Sequence, residues 1–117
     1  DIEFNKKYFE RVIHHEVFHI INDSHKEYFN QKIWVKFNNK DFKYAKCSTC
    51  TDKLGLETYK KTNGFFTEYS QSTASEDMAE VFSHIIIKNK IKNDHILEKK
   101  VNFIKTNLLK IDSSFKF

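Results

Sequence analysis

The sequence predicts a mainly helical fold, on three observations. Residues 5–22, 76–90 and 94–110 each place apolar side chains at helical spacing. Helix breakers are scarce, with 2 glycines and no proline among 117 residues, while Lys, Glu, Leu and Ile are plentiful. Only one short run, "KIWVKF" at 32–37, has the β-branched and aromatic make-up of a strand.

The elements follow in order. Over 5–22, Phe9, Val12, Ile13, Phe18, Ile20 and Ile21 supply the apolar positions, Asn5 is placed to cap the helix, and "NDS" at 22–24 ends it. Residues 32–37 read as a strand or extended segment, followed by a turn at "NNKD", 38–41. Residues 41–64 lack periodicity and read as loop, with a short helix near "LGLETYKK" (54–61) and a turn at "TNG" (62–64). The helix over 76–90 turns Met78, Val81, Phe82, Ile85 and Ile86 inward. The helix over 94–110 opens at Asp94 and carries Ile96, Leu97, Val101, Ile104, Leu108 and Leu109. "IDSSFKF" at 111–117 reads as a tail. No internal repeat or linker divides the chain, so one small domain with a modest core is expected.

The charge is mild, +4 from 20 basic and 16 acidic residues. The lysine clusters "KNKIKN" (88–93) and "KK" (99–100) are short and lack an accompanying aromatic–glycine motif. They read as solvated faces, so no nucleic-acid partner is expected. No stretch is long and apolar enough to span a membrane, and no signal peptide is visible. The chain starts at Asp1 and its only methionine is Met78. A processed or excised chain is therefore expected, with an upstream segment removed.

The chemistry concentrates in "VIHHEVFHII", 12–21, where polar groups interrupt an apolar helix. Buried polar groups need partners. His15, Glu16, Val17, Phe18 and His19 make H-E-x-x-H, which puts two imidazoles on one helix face, within reach of one metal ion. A catalytic zinc normally has three protein ligands. Glu76 and Glu80 in "SEDMAE" are also four apart, a spacing suited to a carboxylate ligand beside a carboxylate that orients a ligand histidine. Thr73 and Glu76 equally make T-x-x-E, a capping box, and acids near a helix start favour its dipole. Spacing alone leaves both readings of Glu76 open. His14 lies about 100° around the helix from His15 and falls outside the set. His25, His84 and His95 read as surface or half-buried residues; the second reading of His84, four after Glu80, is a residue that supports the metal ligands. Cys47 and Cys50 form C-x-x-C without a second pair. They read as a plain thiol pair or a local disulfide ahead of a zinc knuckle completed by a distant histidine.

H-E-x-x-H followed tens of residues later by a helix carrying E-x-x-A-E resembles the gluzincin zinc metallopeptidases. Within them the chain is similar to the branch that includes anthrax lethal factor and the zinc-binding metallopeptidases of bacteria. "EDMAEVF" resembles the second helix of that branch, and Tyr69 stands seven before Glu76, as the branch's tyrosine does before its glutamate ligand. The resemblance covers roughly 9–22 and 64–87, with a looser match at "IWVKFN" and its Trp34. It implies that His15, His19 and Glu76 bind Zn2+, that Glu16 is the catalytic base, that Tyr69 donates a hydrogen bond in the transition state, and that Glu80 supports a ligand histidine. It further implies that residues 1–117 form one zincin-like catalytic domain with little or reduced β sheet. Gluzincins usually carry a sheet ahead of the first helix. Here it is expected either in the removed segment or partly replaced by "IWVKF".

The expected function is zinc-dependent hydrolysis of peptide bonds in peptide or protein substrates, by a zinc-activated water with Glu16 as general base. The resemblance favours a secreted or extracytoplasmic location. The alternative is a non-catalytic helical binding module stapled by a structural zinc. A basic nucleic-acid binder ranks third.

Overall fold

The computed structural model describes residues 2–58, 63–91 and 93–117, without the side chain of Phe4. Four α-helices dominate: α1 (Ile2–Ser24), α2 (Gln31–Val35), α3 (Ala74–Ile86) and α4 (His95–Ile111). Single 3-10 turns at Lys26–Tyr28 and Tyr69–Gln71 lead into α2 and α3. The fold is mainly α. Among the described residues there is no strand, only an isolated antiparallel bridge between Thr58 and Thr67.

Helix α1 extends past both ends of the expected 5–22, and Asn5 lies inside it rather than capping it. No Gly or Pro stands in its way, and Glu3 in the first turn suits the helix dipole. Beyond its last turn the His25 ring lies 3.1 Å from the Ile21 carbonyl, so its Nδ1–H can satisfy one of the carbonyls that every helix end leaves free. Its apolar residues do not face inward as expected. Phe18 is buried and Ile21 partly so, but Phe9 and Ile20 are 66% and 67% exposed, and Val12 and Ile13 are exposed too. The inward stripe is instead occupied by Arg11 and His15 along with Phe18.

The expected strand at 32–37 is corrected to the single helical turn α2. Asn30 Oδ1 accepts from Lys32 N at 2.8 Å and caps that turn. Trp34 is drawn into the core by partners far along the chain: its indole N–H donates to Asp77 Oδ2 (3.1 Å) and Tyr44 Oη (3.0 Å). Tertiary context overrides the strand propensity of the run. No helix forms over 54–58, the described part of the expected 54–61 segment; residues 59–62, with the start of "TNG", lie outside the described residues.

Helix α3 starts two residues earlier and stops four earlier than expected. Thr73 Oγ1 accepts from Glu76 N at 3.1 Å. Half of the capping box therefore exists, and the Glu76 side chain is committed elsewhere. Residues 77–85 of α3 are all buried, the mark of a helix enclosed on every side. It packs against α1 on one flank and α4 on the other. Helix α4 is capped by Asp94 Oδ1, which accepts from Leu97 N at 3.0 Å, and buries Leu97, Val101, Ile104 and Leu108 while Leu109 stays exposed. The tail is not free, because Phe115 packs against the core.

The "KK" pair is not wholly solvated either. Lys100 is fully buried, its ammonium donating to Asp77 Oδ2 at 2.7 Å and to the Gly64 carbonyl at 2.6 Å, with the Phe65 ring centroid 4.0 Å away. This network ties α4, α3, α2 and the 63–66 turn together behind the site.

Candidate metal centre

Helices α1 and α3 run antiparallel, and their polar residues meet in a ladder with a rung every four residues. His19 faces Glu76, His15 faces Glu80 and Arg11 faces His84. Each helix contributes one face, because residues four apart stack along it.

The first two rungs converge on one point. His19 Nε2 lies 2.6 Å from Glu76 Oε1, His15 Nε2 lies 3.5 Å from Glu76 Oε2, and the two Nε2 atoms are 3.1 Å apart. His15, His19 and Glu76 each offer a ligand atom, all within 4.8 Å of one another, so the group can hold a metal ion. A tetrahedral zinc with nitrogen ligands at about 2.0–2.1 Å sets neighbouring ligand atoms roughly 3.3 Å apart, close to these separations. The donor set also fits: two imidazoles and a carboxylate are the ligands of one class of catalytic zinc site, with a fourth position left open.

The surroundings orient these three groups. Glu80 Oε2 sits 2.9 Å from His15 Nδ1, which assigns the ring proton to Nδ1 and leaves the Nε2 lone pair for a cation. Glu80 Oε1 accepts from Thr67 Oγ1 at 2.7 Å. Ser75 Oγ lies 3.4 Å from His19 Nδ1. The Tyr69 hydroxyl donates to Glu76 Oε2, and its ring centroid is 5.9 Å from that of His15. Ser48, in the loop closed by the Cys47–Cys50 disulfide, lies beside the same phenol. Glu16 is exposed and lines a cavity of about 80 Å³ beside His15 and Glu80.

The electrostatics ask for a cation at the centre. Burial would raise the Glu76 pKa, but hydrogen bonds from His15, His19 and Tyr69 outweigh it and hold the carboxyl well below the usual range. Burial would lower that of His15, but its bonds to Glu76 and Glu80 outweigh this and raise it to about 9. Burial also opposes Glu80 ionisation, and here the bonds from His15 and Thr67 prevail, so its pKa is lowered. Burial, then the bond to Glu76, raises the Tyr69 pKa and keeps the phenol protonated. In the metal-free protein a proton on His15 answers the two carboxylates.

His14 stays away from this cluster, edge-on to Phe82. His95 is exposed, and His25 serves the end of α1. His84 departs from its expected surface or half-buried position. It is fully buried, stacked on Phe66 at 4.4 Å, with Nδ1 2.8 Å from the Glu80 carbonyl and Nε2 3.1 Å from Arg11 Nη1. Guanidinium only donates, so Nε2 accepts and the ring is neutral. Burial above all lowers its pKa, to about 4. Arg11 and Thr67 are contributors that spacing did not single out. Arg11 lies one turn before His15, so extending the four-residue rule would have found it, whereas nothing in the sequence marks Thr67.

Among the described residues no helix is long and apolar enough to cross a membrane. Comparison with curated proteins and with solved structures finds no match. A family model described as "Putative zinc-binding metallo-peptidase" matches residues 2–113, nearly the whole chain. The chain belongs to that zinc-binding metallo-peptidase family.

Proposed function

We propose that the protein is a gluzincin-type peptidase in which His15, His19 and Glu76 hold one zinc ion and Glu16 is the general base. The observation that carries this reading is the convergence of three ligand atoms from α1 and α3, within 4.8 Å of one another, beside a cavity that Glu16 lines. Bound there, zinc supplies Lewis acidity, polarising a carbonyl oxygen and acidifying water.

The chain's own groups do the rest. Glu80 holds His15 in the tautomer that presents Nε2. Glu16 accepts a proton from the attacking water and passes it to the departing amine. Tyr69, kept protonated, turns its hydroxyl from Glu76 to the oxygen on which negative charge develops. The substrate is a peptide or protein segment that lies against the cavity beside His15.

The test separates this reading from a zinc that merely staples α1 to α3. Metal analysis should find one zinc per chain, lost in the His15→Ala/His19→Ala double variant. Glu16→Gln should keep the zinc and lose peptide hydrolysis. A Glu16→Gln protein that cleaves at the wild-type rate would leave the staple as the better account.

A further inference from the structure

The third rung of the ladder is not used by the mechanism above. Arg11 is only 9% exposed, yet among the described residues no carboxylate pairs with it. Its one hydrogen-bonding partner there is the neutral His84, and its guanidinium carbon lies 5.6 Å from the Tyr8 ring centroid. Buried charges are normally paired. A guanidinium has five N–H donors in a planar fork, and the His84 contact occupies one side of it.

Arg11 and Tyr8 wall two cavities. One is the space of about 80 Å³ that also touches His15, Glu16 and Glu80. The other, about 360 Å³, is lined as well by Lys7, Glu57 and Asn89. A substrate lying beside Glu16 would therefore reach Arg11 next. Four residues of helix rise by about 6 Å. An extended peptide advances about 3.3–3.6 Å per residue. The span from His15 to Arg11 thus corresponds to about two substrate residues.

The geometry points to Arg11 as a specificity residue that grips a carboxylate of the bound peptide, one or two residues from the scissile bond. The carboxylate is either the C-terminus or an acidic side chain. The inference rests on the peptidase reading for what lies beside Glu16. Arg11 suits the role because its fork matches a carboxylate bidentately. His84, held by the Glu80 carbonyl and by Phe66, fixes the orientation of that fork.

The experiment uses a set of N-acetylated tripeptides that differ only in charge: free C-terminal acid against amide, and Asp against Asn at each position of the amide. Binding is measured by calorimetry on zinc-loaded Glu16→Gln protein, and turnover on the protein with Glu16 intact. One acidic peptide should bind about 10- to 100-fold more tightly than its neutral counterpart, and which one identifies the source of the carboxylate. Arg11→Met, which keeps an apolar stem, should erase the difference. Arg11→Lys, which keeps the charge without the fork, should retain only part of it. The inference is overturned if no acidic peptide outbinds its neutral counterpart, or if the advantage survives in full in either variant, since the carboxylate would then sit elsewhere. Discrimination in binding with no turnover of any peptide would sink the peptidase reading and leave the anion subsite. Turnover without discrimination would do the reverse.

Discussion

One oxygen atom separates Tyr69 from phenylalanine, and the proposed mechanism asks that atom to stabilise the developing oxyanion. Tyr69→Phe should leave zinc content and thermal midpoint near wild type and lower kcat by about 100- to 1,000-fold. A wild-type rate would remove Tyr69 from the mechanism. Glu80 contacts His15 Nδ1, and in the proposed site it acts on the metal only through that ring. Glu80→Gln should weaken zinc by about 10- to 100-fold without abolishing it, as a competition titration with a chelator would show. Complete loss of metal in that variant, together with full retention in Glu76→Gln, would mean that the two glutamates have exchanged roles. In the sequence, spacing set His15 beside His19 and Glu76 beside Glu80, one helical turn apart, but left the role of the glutamates open. Only the resemblance, through Tyr69 seven before Glu76, singled them out. What joins the pairs, the antiparallel seating of α1 on α3, is a property of neither segment. Arg11 and His84 obey the same spacing one turn further out. Thr67 reaches Glu80 from an aperiodic turn and left no sign in the sequence.

At the scale of elements, the three long helices were legible because their apolar spacing runs over several turns and their stops are polar. The single turn α2 was not. Its fate depends on the Asn30 cap and on Trp34 finding Asp77 and Tyr44, contacts that a local window does not contain. The inward side of α1 was misread for a related reason: Phe9 and Ile20 have the right spacing, but α3 offers that interface carboxylates and His84 instead of an apolar wall. The joint between the 63–66 turn and α4 shows how far such contacts reach. Gly64 has φ +94°, its N–H donates to Asp94 Oδ2 at 2.9 Å, and its carbonyl receives the buried Lys100. A Cβ there would overlap the Ile96 side chain. Gly64→Ala thus combines left-handed backbone strain with overpacking and should cost about 2–4 kcal/mol. Denaturant unfolding followed by the fluorescence of Trp34, the chain's one tryptophan, reads this directly. An unchanged midpoint would show that the joint adjusts without strain.

For the molecule as a whole, the ladder makes stability depend on pH in opposite directions at two neighbouring rungs. His84 has a folded pKa of about 4 against an ordinary 6.5. Its neutral form is what the fold accepts, so its contribution is complete above 6.5 and is lost as pH falls toward 4. That loss is roughly 3 kcal/mol at 1.36 kcal/mol per unit. His15, raised from 6.5 to about 9, works the other way in the metal-free protein. Its contribution is complete below 6.5 and is lost as pH rises through 9. Glu76 and Glu80, both lowered, lose theirs only below the ordinary carboxylate range and leave this window undisturbed. Chelator-treated protein should therefore be most stable near pH 6.5, with midpoints falling on both sides between pH 5 and 9. His84→Gln should flatten the acid arm alone. Zinc should flatten the alkaline arm alone, because a ligand imidazole must be deprotonated to bind and the ion replaces the proton that His15 would otherwise lose. Zinc affinity should fall correspondingly as pH drops below 9. Saturating zinc at 1,000 times its dissociation constant adds about 4 kcal/mol of stability, enough to resolve the two arms. An alkaline arm that persists at full slope in zinc-loaded protein would mean that His15 keeps its proton and does not touch the metal.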